Sequence, residues 1–199
     1  MSINPKFIES ICYQRGDYQL IEYHQKRINR TFHRFFPNET PINLIDVLPE
    51  LKVEERYKVR MIYSSDVIDI EYEQYMIRPI NSLKLVTDDR IDYSFKYENR
   101  ESLTSLFTQR EGCDDIMIIK EGQVTDSYYA NLAFYDGSKW VTPTTHLLAG
   151  VKRQSLLDKE ELTEIPISIQ DLQKFHYISP INAMLDLAEI KIPIANIVL

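Results

Sequence analysis

An α+β fold in two domains is what this sequence predicts, and three observations predict it. Up to about residue 80 the pattern reads strand, helix, strand; beyond it short strands follow one another with only brief helical stretches; and Arg78-Pro79-Ile80-Asn81-Ser82 collects turn residues where the patterns meet. We therefore expect a small α/β domain over residues 1–80 and a mostly β domain with short helices over residues 81–199. With 44% hydrophobic residues in 199, the chain has enough apolar material to build such cores.

Pro5 to Tyr13 alternates apolar and polar residues as a strand does, Arg15-Gly16-Asp17 turns, and Tyr18-Gln19-Leu20 resumes the pairing. From about Glu22 the period becomes helical: Tyr23, Lys26/Arg27, Arg30 and Arg34 recur on one side while Phe32, Phe35 and Phe36 supply the buried side, and Pro37 ends the helix. Pro41 to Leu51 reads as a short helix, Tyr57 to Tyr63 and Val67 to Tyr75 as paired strands. After position 100, Leu103, Leu106 and Phe107 keep helical spacing as far as Gly112, and Asp115 to Lys120 is an apolar strand. Glu121-Gly122 is a hairpin turn into a return at Gln123 to Thr125, and Asp136-Gly137 is the turn between a strand at Tyr128 to Tyr135 and a further one at Lys139 to Thr142. Gly150 opens a helix to about Leu157, Ser168 to Phe175 is a short helix, and Tyr177 to Ile181 is a strand.

Composition narrows the function. A net charge of −7 argues against a nucleic-acid partner, which requires a basic footprint. No apolar run reaches the roughly 18 residues of a membrane span, and Met1-Ser2-Ile3-Asn4-Pro5 lacks the basic and apolar regions of a signal peptide, so we expect a cytoplasmic protein with no membrane partner. Cys12 and Cys113 lie far apart, and the four histidines (His24, His33, His146 and His176) show no ligand spacing, so neither a disulfide framework nor a metal site is expected.

Lys96 is the residue with the most chemistry on offer. It lies in the aromatic run Tyr93-Ser94-Phe95-Lys96-Tyr97, which should turn inward. Desolvation lowers an amine's pKa toward neutrality, and a neutral amine attacks a carbonyl to form a Schiff base. The plainer reading is a strand-end lysine reaching to water.

Further segments fall in one order: Glu22-Tyr23-His24-Gln25-Lys26-Arg27, Lys96-x-x-Asn99-Arg100, Gly122-x-Val124-Thr125-Asp126-x-x-x-Ala130-Asn131, Thr142-Pro143, and Gly150-Val151-Lys152-Arg153. In that order and rough spacing the chain resembles, over nearly its whole length, the class IV aminotransferases. These are the pyridoxal-phosphate enzymes of fold type IV, which include branched-chain and D-amino-acid aminotransferases and 4-amino-4-deoxychorismate lyase. The resemblance implies that fold and pyridoxal 5'-phosphate as cofactor. It implies Lys96 as the residue that holds the cofactor in a Schiff base and moves the substrate's α proton. Asp126 stands where the family usually has Glu, as the carboxylate on the pyridine nitrogen; taken alone it reads as a turn-capping aspartate. Arg27, on the helical face of His24, matches the phosphate-binding arginine, although by itself it reads as an exposed salt-bridging position. The N–H groups of Val151 and Lys152 would donate to the phosphate at a helix N-terminus, and Asn182 and Ala183 match the last phosphate-side turn. Lys152, in place of Thr in many relatives, would add a cation.

On the substrate side the resemblance points to Glu9, in a Phe-Glu-Thr-like stretch, and to Tyr63, Tyr129 and Arg60. Tyr63-Ser64 replaces the Arg-Gly that captures a carboxylate in several members, so Arg60, Arg78 and Arg100 become the candidates for that task. Tyr128, Tyr129 and Asn131 are expected on a strand whose alternate side chains face the ring, and His24 is read as structural. The implied function is transfer of an amino group from a small-molecule amino donor to a keto-acid acceptor by a homodimer, with residues 70–80 as a contact. The alternatives are the lyase, which releases pyruvate from aminodeoxychorismate, and a cofactor-free binding protein of the same fold.

Overall fold

The computed structural model describes residues 5–199, so the signal-peptide reading of Met1–Asn4 lies outside the described residues. The chain packs as two units, one running to Met76 and taking in Phe95–Asn99, the other comprising Ile77–Ser94 and Arg100–Leu199. A single boundary at residue 80, with Lys96 in the second domain, is thereby corrected: the chain enters the second unit, returns to the first for the Lys96 segment, and leaves again. The reason is aromatic. Phe95 and Tyr97 have their ring partners in the first unit, in Phe7 and Phe35.

In the first unit β1 (Phe7–Gln14) turns at Arg15-Gly16 into β2 (Asp17–Tyr18), followed by helices α1 (Ile21–Phe35) and α2 (Leu44–Val47) and strands β3 (Tyr57–Tyr63) and β4 (Val67–Gln74). The strands form an antiparallel sheet in the order β2-β1-β3-β4. Phe7 and Ile11 of β1 and Met61 and Tyr63 of β3 turn to one side and pack against Ile28 and Phe32 of α1. The helix shows the polarity its periodicity demanded, with His24, Ile28, Thr31 and Phe32 buried and Lys26, Arg30 and Arg34 exposed. Its basic residues also cover aromatic surface: the Arg30 guanidinium lies 4.8 Å from the Phe95 ring centroid. The helix stops at Phe36 because Pro37 offers no N–H to continue it.

The Lys96 segment is irregular rather than a strand, and Lys96 is half-buried. It nevertheless pairs with the sheet: the Ile8 N–H donates to the Lys96 carbonyl at 2.9 Å, and the Glu98 N–H donates to the Lys6 carbonyl at 2.9 Å.

The second unit runs β5 (Leu83–Thr87), α3 (Glu101–Phe107), β6 (Asp115–Lys120), β7 (Gln123–Val124), β8 (Asn131–Tyr135), β9 (Trp140–Pro143), α4 (Val151–Asp158), β10 (Thr163–Ile165), β11 (Tyr177–Ile181), β12 (Ile192–Pro193) and β13 (Ile197–Val198). Two sheets result, ordered β10-β9-β8-β11-β12 and β13-β5-β6-β7. β6 lies parallel to β5, which in turn lies parallel to β13, and this central position explains the unbroken apolar run Ile116 to Ile119. Its Met117 and Ile119 join Leu132 and Phe134 of β8 in one core.

Two elements differ from expectation. The helix at residues 168–175 is a 3-10 turn, Ile169–Lys174, opened by a reciprocal Ser168–Asp171 capping box. More consequentially, the strand expected from Tyr128 begins only at Asn131. Ser127 closes a tight turn instead, its N–H donating to the Ala130 carbonyl at 2.8 Å, and Tyr129 is left 62% exposed. Among the described residues no helix is long and apolar enough to cross a membrane, and no cluster of His, Cys, Asp or Glu has the makings of a metal site. Cys12 and Cys113 are both buried and form no disulfide.

Candidate active site

Two clusters of expected site residues form, one in each unit, and each is built around one buried carboxylate. In the first unit it is Glu9, on β1, with no exposed surface. Arg27, one turn after His24 on α1, grips it with both arms of the guanidinium: Nε donates to Oε1 at 2.8 Å and Nη2 to Oε2 at 2.5 Å. The ring of His24, also without exposed surface, places Nδ1 2.6 Å from Oε2.

Burial alone would push the Glu9 carboxyl up, but the Arg27 charge and the hydrogen bonds from Arg27 and His24 outweigh it and hold the group at about 2. The His24 pKa is lowered, chiefly by burial and further by Arg27 and Lys96, against the opposing pull of Glu9. His24 is therefore a neutral ring that donates from Nδ1 to Glu9 and leaves Nε2 as a bare, buried nitrogen. Glu9 is thus the anchor that fixes where Arg27 points.

Tyr63 is 1% exposed and sits in the aromatic core beside Phe7 and Phe32, where burial and the neighbouring Glu9 charge raise its pKa. Arg60, on the same strand, faces the other way, 3.7 Å from the Glu71 carboxylate on β4.

In the second unit the carboxylate is Asp126, 6% exposed. The Asn131 Nδ2 donates to its Oδ1 at 2.8 Å and the Leu148 N–H donates to its Oδ2 at 3.0 Å. Burial raises Asp126 to about 6, against the lowering pull of those hydrogen bonds and of the Arg153 charge. The same Asn131 amide also donates to the Leu148 carbonyl at 2.9 Å, so one side chain ties the carboxylate to the loop that leads into α4. Gly150, the cap of that helix, lies directly against it: a Cβ built on Gly150 would fall 1.9 Å from Asn131 Oδ1. Glycine is required here for space and not for its backbone angles.

Val151 and Lys152 open α4, so their N–H groups have no acceptor within the helix. The Lys152 amine is engaged 2.5 Å from Asp186 and contributes no net local charge. Asn182 opens a turn in which its Oδ1 accepts from the Met184 N–H at 2.8 Å and its Nδ2 donates to the Tyr129 carbonyl at 3.3 Å, with Ala183 between. Arg78 is exposed in coil, whereas Arg100 is held among tyrosine rings.

Sequence reasoning gave Asn131 a ring-facing position on a strand. It is instead the organiser of the Asp126 cradle, and the signal was a conflict of size: an amide and a helix-opening glycine whose Cβ would overlap it.

A family model described as amino-transferase class IV matches residues 98–192. An uncharacterized protein of Haemophilus influenzae is 36% identical over 180 residues, which is 88% of this chain and 96% of that one. A crystal structure from Haemophilus somnus, provisionally named a 4-amino-4-deoxychorismate lyase, superimposes with a TM-score of 0.88 at 31% identity, covering 94% of this chain and 100% of the other. The chain belongs to the class IV aminotransferase family. Class IV membership accounts for the mixed sheets and few short helices described above. The fold alone is shared with more distant structures, such as a hypothetical aminotransferase of Mycobacterium tuberculosis in its α-ketoglutarate and PMP bound form, with a TM-score of 0.72 at 14% identity, covering 97% of this chain and 81% of that one.

Proposed function

We propose that this class IV chain is a pyridoxal-phosphate-dependent enzyme that moves an amino group between an amino acid, or an amino-substituted acid, and a keto acid. The Asp126 cradle carries the reading. A carboxylate buried, raised to about 6 and still fastened by Asn131 and Leu148 is an anion in want of a cation, and a protonated pyridine nitrogen meets that want. Asn131 joins this cradle to Gly150, after which the first amides of α4 suit a phosphate.

When bound, pyridoxal phosphate supplies the electron sink that lets a proton leave the carbon bearing the amino group. The chain's residues do the rest. Asp126, Val151, Lys152, Asn182 and Ala183 would hold the cofactor, and the family resemblance adds Arg27, whose guanidinium Glu9 keeps oriented. The Lys96 amine would hold the aldehyde end and then carry the proton to and from the substrate carbon. Tyr129, the most exposed of the candidate substrate residues, would meet a ligand arriving from solvent.

A second reading is lyase chemistry, which the name given to the 31% identical Haemophilus somnus structure supports. Mixing purified protein with pyridoxal phosphate should give an absorbance band at about 410 to 420 nm, the range of the protonated cofactor–lysine chromophore. Lys96→Ala should abolish it, and a colourless mixture would indicate a cofactor-free binding protein. An amino donor that converts the bound cofactor to pyridoxamine phosphate identifies a transaminase; pyruvate released from aminodeoxychorismate identifies the lyase.

A further inference from the structure

The chain reaches Lys96 by an excursion: it leaves the second unit after Ser94 and re-enters it at Arg100. Both ends of that excursion meet at one side chain. The Arg100 guanidinium lies 5.7 Å from the ring centroid of Tyr93, just before the departure, and 4.6 and 4.5 Å from those of Tyr128 and Tyr129. Its Nη2 donates to the Tyr128 carbonyl at 2.5 Å, and Nε is buried among the rings without an acceptor. Tyr128 is fixed in turn by the Thr104 hydroxyl at 2.9 Å and by stacking on Phe107, both on α3, and the two tyrosine rings meet edge to face.

We propose that Arg100 is a positioning residue: it clasps the two ends of the Lys96 excursion together and to the turn that follows Asp126. A planar cation suits this post because it offers both faces to aromatic rings while its edge bonds a carbonyl, which a lysine ammonium does less well. The functional weight of the clasp rests on the reading of Lys96 as the cofactor-holding amine; its structural part does not.

Hydrogen exchange of the cofactor-free protein tests that structural part directly. Arg100→Ala should accelerate exchange at least about tenfold within residues 94–101 and 127–130 while leaving the β5 and β6 amides unchanged. Arg100→Lys should restore part of the protection. Tyr129→Ala, which removes the most exposed of the three rings around the guanidinium, should show a smaller rise over the same two stretches and guards against an Arg100→Ala protein that does not fold. Unchanged exchange in those stretches, or an even rise across the whole second unit, would overturn the clasp. Borohydride trapping of pyridoxal phosphate, followed by peptide mapping, reads the consequence: Arg100→Ala should lower the yield at Lys96 about tenfold relative to wild type. A wild-type protein that traps nothing at Lys96 would defeat the cofactor reading and leave the exchange result standing. A variant that traps as well as wild type would defeat the positioning role.

Discussion

A carboxylate with no exposed surface needs compensation, and Glu9 receives it from a bidentate guanidinium and a neutral imidazole. Removing that negative charge strands the Arg27 cation beside it. Glu9→Gln should therefore cost about 3 to 5 kcal/mol of stability in urea unfolding, and it should also weaken pyridoxal-phosphate retention, because Arg27 loses the partner that aims it. The pH dependence has a definite sign. Folding lowers the Glu9 pKa from 4.5 to about 2, so its contribution is fully present above pH 4.5 and disappears as the pH falls toward 2. Asp115 and Asp126 behave oppositely. Burial raises both from 3.8 to about 6, so ionising them in the fold is a penalty above pH 6 that is relieved as the pH falls from 6 to 3.8.

At the scale of elements, the junction of β8 with the loop entering α4 depends on one missing methyl group. Gly150→Ala puts a Cβ where Asn131 Oδ1 now sits, and overpacking of this kind typically costs about 1 to 3 kcal/mol. Asn131→Ala removes the obstacle along with the Asp126 hydrogen bond. Thermal unfolding of the two single variants and the double variant should thus be strongly non-additive, with Gly150→Ala costing little once Asn131 is gone. Simple addition of the two effects would disprove the steric account.

Much of the element map was legible beforehand. α1 announced itself by its period and its closing Pro37, α4 by its Gly150, and β6 by its apolar run. The turn at Ser127–Ala130 was not legible, because the tyrosines of Tyr128-Tyr129-Ala130-Asn131 carry strand propensity that two reciprocal Ser127–Ala130 hydrogen bonds override. Nor was the burial of Glu9, since an alternating strand places a glutamate on a face without saying what waits there. The Asp126–Asn131–Gly150 connection joins positions 24 residues apart through space, which no local pattern reports.

For the whole molecule, the opposed carboxylates give the two units opposite responses to acid. Trp140, the chain's single tryptophan, lies on β9 and so reports the second unit alone. Its fluorescence should show a higher urea midpoint at pH 5 than at pH 7, corresponding to about 1 kcal/mol of added stability for each of Asp115 and Asp126. Hydrogen exchange of the β1 amides, corrected for intrinsic rates, should instead show protection falling between pH 5 and pH 3. A Trp140 midpoint that drops on going to pH 5 would contradict the raised carboxyls.

The return of the chain to its first unit also bears on how the protein is made. Phe7 finds two of its ring partners in Phe95 and Tyr97, at 6.5 and 5.3 Å. A nascent chain emerging from the ribosome therefore holds an incomplete aromatic core until residue 99 has cleared the exit tunnel, with part of the later unit already outside. The first unit therefore completes only after the opening residues of the second, Ile77–Ser94, have been made, and a stall in translation between Met76 and Phe95 would leave Phe7 and Ile8 without the segment that caps them.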